Sequence, residues 1–401
     1  MTLATWEQQK TTTTIPDRNT QNCQVSLSKP HPKTNSNQPS PIRTSIVIVN
    51  YNGGELLKLC VESLLSTIQP DDEIILVDNV SQDGSADLIE HHFPQVSLIR
   101  SRKNLGFGGG NNLGVQHARG HYIAFINPDT LAEPGWLEAL INSLETTPAA
   151  GMATPRIVLM HDPTKINTCG NDIHYTGLTL CRGMNEDREH YATPAEVSAI
   201  SGAAFMMRRD LFLHLGAFDE GYFLYMEDTD LSLRTRLAGY RCLYVPDAII
   251  HHKYQLRFGP RKTYYQEIGR YRMLLKHFRW TTLLALTPAL ITAEAITWGF
   301  VLIQDHFRIM NKLRAYYAVI QTWKDMMQQR RQVQNLRQVT DYEILRGNGS
   351  SLDFGQTGTS VVVRLANNIV NPWFGLWRKH ILRIIKPDSR LPRLQRSKSE
   401  C

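Results

Sequence analysis

Four clusters of polar residues carry the side chains in this sequence that could perform chemistry. They are Asn50-Tyr51-Asn52, Asp78-Asn79, Asn127-Pro128-Asp129 and Glu227-Asp228-Thr229-Asp230. Carboxylates can accept hydrogen bonds, bind a divalent cation or take up a proton from a reacting hydroxyl group. Each cluster taken alone could instead cap the helix that follows it, because Asn and Asp are common at that position. The occurrence of all four in one chain favours a functional site over four separate caps.

The first three clusters directly follow short apolar runs that we predict to be strands. These runs are residues 45–49, 73–77 and 122–126, and a further run covers residues 96–100. Stretches with helical periodicity, such as residues 56–68 and 85–92, separate them. Continuous apolar strands that alternate with helices are typical of a parallel sheet covered on both faces. We therefore predict an α/β fold with a doubly wound, Rossmann-like, mostly parallel sheet, and we expect ligands beyond the carboxyl ends of its strands.

Six motifs occur along the chain in an order that matches a known family. They are VIVNYN (47–52), VDNVSQDGS (77–85), KNLGFGGGNNLG (103–114), NPD (127–129), SGAAFMMRR (201–209) and GAFDEGYFLYMEDTDLSLRTRLAGY (216–240). Together they resemble the inverting family 2 glycosyltransferases of the GT-A fold, and among these the rhamnosyltransferase-like branch. The resemblance implies an enzyme of the hexosyltransferase type that moves a sugar, with rhamnose as the candidate, from a nucleotide diphosphate donor. It also implies a lipid-linked or polysaccharide acceptor in cell-surface glycan synthesis.

The resemblance further implies a donor-binding site. Its residues would be Asn50, Tyr51, Asn52, Asp78, Asn104, Gly106, Asn127 and Asp129. Asp78 would accept a hydrogen bond from the N3–H group of uracil or thymine, and Tyr51 and Asn52 would line the same pocket. The glycine-rich stretch at residues 106–114 would open a helix and let the backbone approach a phosphate or ribose.

A divalent cation, Mg²⁺ or Mn²⁺, is the cofactor that the resemblance implies. Asp129 would bind this cation, which stabilises the negative charge of a departing phosphate. His251, at the end of the apolar run that begins at residue 244, is the predicted second metal ligand, and the adjacent His252 is the competing choice. Asn127 stands where the family often has an acid, so the expected metal site has one carboxylate fewer.

Asp228 is the predicted catalytic base. The family resemblance implies that this carboxylate deprotonates the acceptor hydroxyl while the sugar leaves from the opposite face, which inverts the anomeric configuration. Glu227 is the second predicted catalytic residue, which would shape acceptor binding or raise the pKa of Asp228 by like-charge repulsion. The alternative is that these acids begin a helix that extends to residue 237, because negative charge is favourable in the first turn.

Charge is distributed unevenly along the chain. Residues 1–252 hold 19 Lys and Arg against 28 Asp and Glu, whereas residues 253–401 hold 25 against nine. A basic half favours an anionic partner, either lipid head groups or nucleic acid. Residues 281–303 have nearly the length of a membrane span, but Pro288 and Glu294 oppose insertion. Because a span would also carry the basic tail across the membrane, we expect this segment to lie in or dip into the interface.

Four segments are predicted from these patterns. They are a disordered leader (1–42), the catalytic domain (43–260), a basic, membrane-associating helical region (261–345) and a basic amphipathic tail (346–401). The first forty residues contain no apolar run of signal-peptide length. The six cysteines have neither a Cys-x-x-Cys pair nor zinc-site spacing, which favours a reducing compartment. We expect a cytoplasmic protein that attaches peripherally to the inner face of the plasma membrane.

The expected partners are a nucleotide sugar donor, a lipid-linked or glycan acceptor and an anionic membrane surface. Two other interpretations stay open at this point. The chain could be a non-catalytic nucleotide-sugar-binding protein that retains the GT-A fold, although the presence of Asp78, Asp129 and Asp228 together argues against it. The basic tail could bind nucleic acid, but no recognisable nucleic-acid module occurs in it, and we expect no nucleic-acid partner.

Overall fold

The structure is a computed structural model, and it describes residues 42–254, 261–304, 309–352 and 361–385. The strands are β1 (Thr44–Asn50), β2 (Asp72–Asp78), β3 (Ser97–Arg100), β4 (Tyr122–Ile126), β5 (Thr130–Ala132), β6 (Ala150–Leu159), β7 (Asp162–Thr168), β8 (Asn171–Ile173), β9 (Thr179–Cys181), β10 (Ala195–Val197), β11 (Ala204–Arg208) and β12 (Arg241–His252). The helices are α1 (Gly54–Leu65), α2 (Ser85–His92), α3 (Gly106–His117), α4 (Trp136–Thr146), α5 (Arg209–His214), α6 (Glu227–Leu237), α7 (Lys262–His277), α8 (Trp280–Gln304), α9 (Ile309–Gln321), α10 (Trp323–Asn335), α11 (Asp341–Arg346) and α12 (Val361–Ile384). Residues 1–41 of the predicted leader (1–42) and residues 353–360 and 386–401 of the predicted tail (346–401) lie outside the described residues.

Ten strands form one sheet. Its main path runs β10-β12-β6-β11-β4-β1-β2-β3, with β5 beside β12 and β7 beside β6. The neighbours β3, β2, β1 and β4 are parallel to one another. β12 is parallel to β6, and β11 lies antiparallel between β4 and β6. The carboxyl ends of β1, β2 and β4 therefore meet at one edge of the sheet.

Burial of apolar side chains on both faces holds the centre of this sheet together. All seven residues of β1 are buried. Ile46 and Ile48 belong to a core cluster that includes Leu57 of α1, and Val47 belongs to a second cluster that includes Val115 of α3. Side chains of a strand alternate between its two faces, so a strand covered on both faces is apolar throughout.

The predicted α/β fold with a mostly parallel central sheet is confirmed. The helix at residues 85–92 and the strand at 122–126 have the predicted bounds, and α1 begins two residues earlier than predicted and ends three earlier. Sequence pattern does not predict the antiparallel additions β5, β7, β10 and β11. β5 and β10 have only three residues each, which is too short for an alternating pattern to show.

The helices that follow the sheet share a core with α6. One cluster of buried residues joins Leu233 of α6 to Met273 of α7, Leu286 of α8 and Phe374 of α12. The predicted boundary at residues 260 and 261 falls at the edge of a segment outside the described residues, and the four-segment division stays a prediction. The shared core fixes the position of α7 relative to α6, which carries the predicted base.

Candidate active site

Asn50 and Asp78 lie side by side at the carboxyl ends of β1 and β2. They are partners in the parallel ladder, and both are buried. The Asn50 Nδ2 group donates to Asp78 Oδ1 at 3.3 Å and to the hydroxyls of Ser81 and Ser85 at 2.9 Å each. No described residue donates a hydrogen bond to the other oxygen, Oδ2, of Asp78. This carboxylate is thus fixed in orientation and keeps one oxygen for a ligand.

The turns after β1 and β2 are joined by hydrogen bonds. The backbone N–H of Asn52 donates to Ser81 Oγ at 3.0 Å, and Asn52 Oδ1 accepts from the Gln82 N–H at 2.7 Å. Asn52 and Val80 both have positive φ angles, of 56° and 68°. A β-branched residue in the left-handed region is strained, and such strain is concentrated at functional sites. The predicted donor residues around Asn52 and Asp78 are therefore brought together.

Asn104 and Gly106 lie at the start of α3, beside Asn79. The Asn79 Nδ2 group donates to Asn104 Oδ1 at 3.1 Å, and Asn104 Oδ1 accepts from the Gly106 N–H at 2.9 Å. The Nδ2 atom of Asn104 is buried and has no hydrogen-bond partner among the described residues. An unpaired buried donor costs free energy unless a ligand satisfies it, so Asn104 fits the predicted donor site.

The glycines of α3 have a packing role. A Cβ atom on Gly106, whose φ is 73°, would lie 2.2 Å from the carbonyl oxygen of Phe223. A Cβ atom on Gly114 would lie 2.5 Å from Val47 Cγ1 of β1. The glycine-rich stretch therefore lets α3 approach the sheet and the 223 loop closely. This packing explains both glycines without a bound phosphate.

Asp129 is paired with His252. β5 directly follows Asp129 and pairs antiparallel with the end of β12, which places Thr130 opposite His252. The Nε2 atom of His252 lies 3.3 Å from Asp129 Oδ1. Burial alone would raise the pKa of Asp129, but the charge and hydrogen bond of His252 hold that pKa below its usual value.

His251 lies on the opposite face of β12 from His252, because successive side chains of a strand alternate. Its Nε2 atom lies 2.7 Å from Glu133 Oε1, and no ion pair joins His251 to Asp129 among the described residues. Of the two histidines that compete for the metal-ligand role, the structure therefore places His252, rather than the preferred His251, at Asp129. The strand register decides between them, and the sequence pattern does not show that register.

The Asp129 and His252 pair fits a divalent cation. The Nδ1 atom of His252 lies 2.8 Å from Asn167 Oδ1, an acceptor, so Nδ1 carries a proton. In the metal-free protein a proton on Nε2 bridges the two groups, which is the charged form that lowers the pKa of Asp129; a divalent cation could take the place of that proton, with Nε2 and Asp129 Oδ1 as ligands. Histidine ligands of metals commonly donate their other ring N–H to an oxygen in this way. Among the described residues no group of three or more His, Cys, Asp or Glu could hold a metal ion, so further ligands would come from the donor phosphates.

Asn127 lies close to the predicted base through the loop before β11. The Asn127 N–H donates to the carbonyl oxygen of Ala203 at 2.9 Å. Gly202, which directly precedes Ala203, donates its N–H to Asp228 Oδ2 at 2.9 Å. Antiparallel pairing of β11 with β4 thus brings the NPD cluster and the Glu-Asp cluster to the same edge of the sheet.

Asp228 is held by several donors in the first turn of α6. Its Oδ2 atom also accepts from Asn171 Nδ2 at 3.4 Å, and its Oδ1 atom accepts from the Thr229 N–H at 2.6 Å. Burial raises the pKa of Asp228 above its usual value, although the hydrogen bonds from Gly202 and Thr229 oppose this rise. A fixed carboxylate with a raised pKa is a stronger base than an exposed one.

Glu227 is buried beside Asp228. Burial raises the pKa of Glu227 well above its usual value, and the charge of Asp228 adds to this rise. Its Oε2 atom is buried and has no hydrogen-bond partner among the described residues. Tyr225 and Met226, which precede it, have φ angles of 67° and 69°. Two consecutive strained residues directly before the acids indicate that the chain holds them in a demanding geometry.

A buried ionic network anchors the start of α6 to α7. Asp230 Oδ1 lies 2.7 Å from Lys276 Nζ and accepts from the Tyr222 hydroxyl at 3.1 Å, while Oδ2 accepts from Arg234 Nε at 2.9 Å. Lys276 Nζ also lies 2.5 Å from Asp219 Oδ2. Burial would raise the pKa of Asp230, but the charges of Lys276 and Arg234 lower it far below its usual value. The network therefore fixes the segment that carries Asp228.

Sequence reasoning misses the anchoring role of Lys276. The string KHFRW at residues 276–280 is basic and aromatic, and this composition alone favours an exposed segment. In the structure Lys276 and His277 are both buried. A signal was available, since Arg272 and Lys276 are one helical turn apart in a segment that also supplies buried apolar residues, and cations on such a face need acidic partners.

Comparison with known proteins identifies the family. The profile described as Glycosyl transferase family 2 matches residues 45–216. The N-acetylglucosaminyl-diphospho-decaprenol L-rhamnosyltransferase of Mycobacterium tuberculosis is 30% identical over 234 residues, which cover 52% of this chain and 75% of that protein. The chain belongs to glycosyltransferase family 2. It is therefore an enzyme of the glycosyltransferase class, as predicted.

Other similarities agree with this glycosyltransferase assignment. The rhamnosyltransferase WbbL of Escherichia coli is 28% identical over 219 residues, which cover 50% of this chain and 80% of that protein. The solved structure of GalNAc-T7 with UDP, GalNAc and Mn²⁺ has a TM-score of 0.50 and 18% sequence identity, and the match covers 60% of this chain and 48% of that one. This similarity shows that the chain has the GT-A fold. The predicted resemblance to rhamnosyltransferase-like members of the family is confirmed.

Proposed function

We propose that this glycosyltransferase is an inverting enzyme that transfers a sugar, with rhamnose as the candidate, from a nucleotide diphosphate sugar to a lipid-linked acceptor in cell-surface glycan synthesis. The observation that carries the proposal is the environment of Asp228. This carboxylate is fixed by the Gly202 and Thr229 N–H groups and has a raised pKa. The names of the relatives supply the sugar and the acceptor class, since the mycobacterial relative is named for an acceptor with a diphosphate-linked decaprenol.

Asp228 takes the proton of the attacking acceptor hydroxyl in this mechanism. The acceptor oxygen forms a bond to the anomeric carbon as the bond to the donor phosphate breaks, so one displacement inverts the configuration. Burial and the charge of Asp228 raise the pKa of Glu227, which favours its protonated form, and its unpartnered Oε2 is available to hydrogen-bond the acceptor. The network around Lys276 positions Asp228 and takes no part in proton transfer.

The donor is held by residues that follow β2 and β4 and by the start of α3. Asp78 presents its unpaired Oδ2 to the nucleobase, and Asn104 presents its unpaired Nδ2 to the sugar or phosphate oxygens. Asp129 and His252 would hold a divalent cation, which when bound neutralises charge on the departing diphosphate. Tyr51, Asn52 and the Asn127 loop complete the walls of this half of the site.

We further propose that the enzyme attaches to a membrane through α8 and its neighbours rather than by crossing it. The α8 segment Trp280–Gly299 is long and apolar enough to cross a membrane, on length and composition alone. However, Glu294 of α8 lies 2.6 Å from Arg270 of α7 and 2.8 Å from Lys312 of α9. Burial raises the pKa of Glu294, but its hydrogen bonds to Lys312 and Tyr316 and the charge of Arg270 lower that pKa to about 2. These ion pairs hold α8 against two polar helices.

The outward side of this helical region suits the membrane interface. Leu284 and Ile291 of α8 are 75% and 65% exposed, and Ile320 of α9 is 72% exposed. Exposed aliphatic side chains beside Lys and Arg are typical of interfacial helices. The inner face of the plasma membrane, as predicted from the sequence, is the surface at which a nucleotide sugar and a lipid-linked acceptor meet.

The test is a panel of nucleotide sugars with purified full-length protein, Mn²⁺ or Mg²⁺ and a synthetic N-acetylglucosaminyl diphosphate prenol. One donor should raise the melting temperature and support transfer. Asp228→Asn should still give the thermal shift but lose transfer by about 10³-fold or more, whereas Asp247→Asn, at an exposed position on β12, should behave as wild type. A donor that binds without any turnover in the wild type would favour a non-catalytic nucleotide-sugar-binding protein, and turnover retained in Asp228→Asn would refute the mechanism.

A further inference from the structure

A cavity of about 390 Å³ lies between the loop before α6 and the helices α7 and α9. The loop contributes residues 221–224, and α7 and the residue before it contribute Arg261, Tyr264 and Tyr265. Arg314 and Tyr317 line it from α9. The mechanism described above does not use this cavity.

Two arginines and several tyrosines give the cavity its chemistry. Arg261 and Arg314 supply positive charge, and none of the described residues that line the cavity is acidic. Arg314 is exposed and makes no hydrogen bond or ion pair with a described residue. Arginine binds phosphate oxygens through paired N–H groups, and tyrosine hydroxyls can donate to the same oxygens. The cavity therefore suits a phosphate or diphosphate group.

Phe223 separates this cavity from the donor site. Its side chain stacks on Tyr265, with ring centroids 5.5 Å apart, and residue 223 lines the cavity. On the other side its carbonyl oxygen accepts from the Phe107 N–H at 3.0 Å, at the start of α3. Five residues after Phe223 the chain reaches Asp228. The loop that lines the cavity is thus hydrogen-bonded to the start of α3 and continuous in sequence with the start of α6.

The outer wall of the cavity continues into an apolar surface. Tyr317, which lines the cavity, is 62% exposed and lies on the same face of α9 as Leu313 and Ile320, both of which are exposed. A ligand with a charged head in the cavity and an aliphatic chain would place that chain along this face. The arrangement of a cationic cavity next to an apolar strip matches a lipid that carries a phosphate head.

We propose that this cavity binds the diphosphate of the lipid-linked acceptor, with its prenyl chain along the exposed face of α9 and its sugar directed past Phe223 toward Asp228. The assignment rests on the proposed function for the identity of the acceptor. It goes further, because it assigns Arg261, Arg314 and Tyr317 to acceptor recognition and links the membrane-facing helices to the catalytic step.

The binding test uses full-length protein and two kinds of phosphatidylcholine vesicle. One contains a synthetic N-acetylglucosaminyl diphosphate prenol, and the other contains phosphatidylglycerol at the same total charge. In a flotation assay, wild type should bind the vesicles with the diphosphate prenol at a lower lipid concentration than the vesicles with phosphatidylglycerol. Arg314→Gln should weaken that binding about tenfold, since it removes charge-assisted hydrogen bonds, while Arg331→Gln, at an exposed position on α10 without a partner among the described residues, should change it less than twofold.

The kinetic arm measures the two Michaelis constants separately. Arg314→Gln and Arg261→Gln should each raise the KM for the diphosphate prenol about tenfold and leave the KM for the nucleotide sugar within about twofold. Equal effects of Arg314→Gln and Arg331→Gln, or equal binding of wild type to both vesicles, would overturn the site and indicate general attraction to anionic lipid. Arg314-dependent vesicle binding in an enzyme that transfers no sugar would refute the proposed function and leave the binding site standing.

Discussion

Replacement of Lys276 by Met tests whether the buried ionic network anchors the catalytic segment. Lys276 is 1% exposed at its side chain and serves two carboxylates, Asp230 at 2.7 Å and Asp219 at 2.5 Å. Methionine has a similar length and no charge, so it fills the same space. The variant therefore removes the cation and leaves both acids in place.

The expected loss in the free energy of unfolding depends on the cations that still pair with the two acids. Removal of one member of a buried ion pair costs about 3–5 kcal/mol, because the other charge is left uncompensated. Arg234 still compensates Asp230, and Arg272 still lies 3.7 Å from Asp219. We therefore expect the lower end of that range, about 3 kcal/mol in the free energy of unfolding.

Urea denaturation followed by circular dichroism measures this loss. The control is Lys324→Met on α10, where the lysine is exposed and has no described partner, and it should change the free energy by less than about 0.5 kcal/mol. Transfer activity of Lys276→Met should also fall in the absence of denaturant, because α6 loses its anchor. A loss below about 1 kcal/mol, or a loss equal to that of the control, would refute the anchoring role.

The pH dependence of the free energy of unfolding tests the same ion pair independently. The pKa of Asp230 is lowered in the folded protein, so its contribution to stability is present above the unfolded value of about 3.9 and is lost as pH falls below it. Since Lys276 is the largest cause of this lowering apart from the opposing effect of burial, Lys276→Met should lose less stability on acidification than wild type does.

Three further predictions concern the site itself. In a plot of transfer rate against pH, the fall at low pH should occur at a higher pH than an ordinary Asp would give, because the pKa of Asp228 is raised and the base must be ionised. A midpoint at or below the ordinary value of about 3.9 would contradict this. In wild type the free energy of unfolding should decline as pH rises above about 4.3, because a carboxyl group with a raised pKa in the folded state loses its contribution to stability as pH increases. Glu227→Gln should remove this decline. Urea denaturation at a series of pH values tests the prediction, and an unchanged decline in Glu227→Gln would count against a protonated Glu227. His252→Ala should weaken Mn²⁺ binding about 10- to 100-fold in calorimetry with a nucleoside diphosphate present, and His251→Ala should have little effect; the reverse order would restore His251 as the ligand.

The fold and the positions of the site clusters could be predicted from the sequence, and the contacts within them could not. Apolar runs such as residues 45–49 are long enough to identify strands, and the polar residues that follow them mark the sheet edge. The choice between His251 and His252 depends on the register of β12 against β5, a pairing between residues far apart in sequence. Periodicity within a single segment contains no information on that register.

The polar networks show the same limit. The sequence shows Glu294 only as an acid that opposes membrane insertion, whereas in the structure Arg270 and Lys312 neutralise it. Likewise Asp230 is predicted only as one of three acids in a cluster, and its anchoring role depends on α7 packing against α6. Long-range pairs of this kind arise from tertiary packing, which composition and local charge do not determine.

The anomeric configuration of the first product tests the central claim most directly. Wild-type enzyme, the donor found in the nucleotide-sugar panel and the diphosphate prenol acceptor would be followed by NMR as the product forms. A single displacement assisted by Asp228 predicts that the configuration at the anomeric carbon is opposite to that of the donor from the first turnover onward. Retention of the donor configuration would contradict the mechanism, because it would require a second displacement and a nucleophile other than the acceptor.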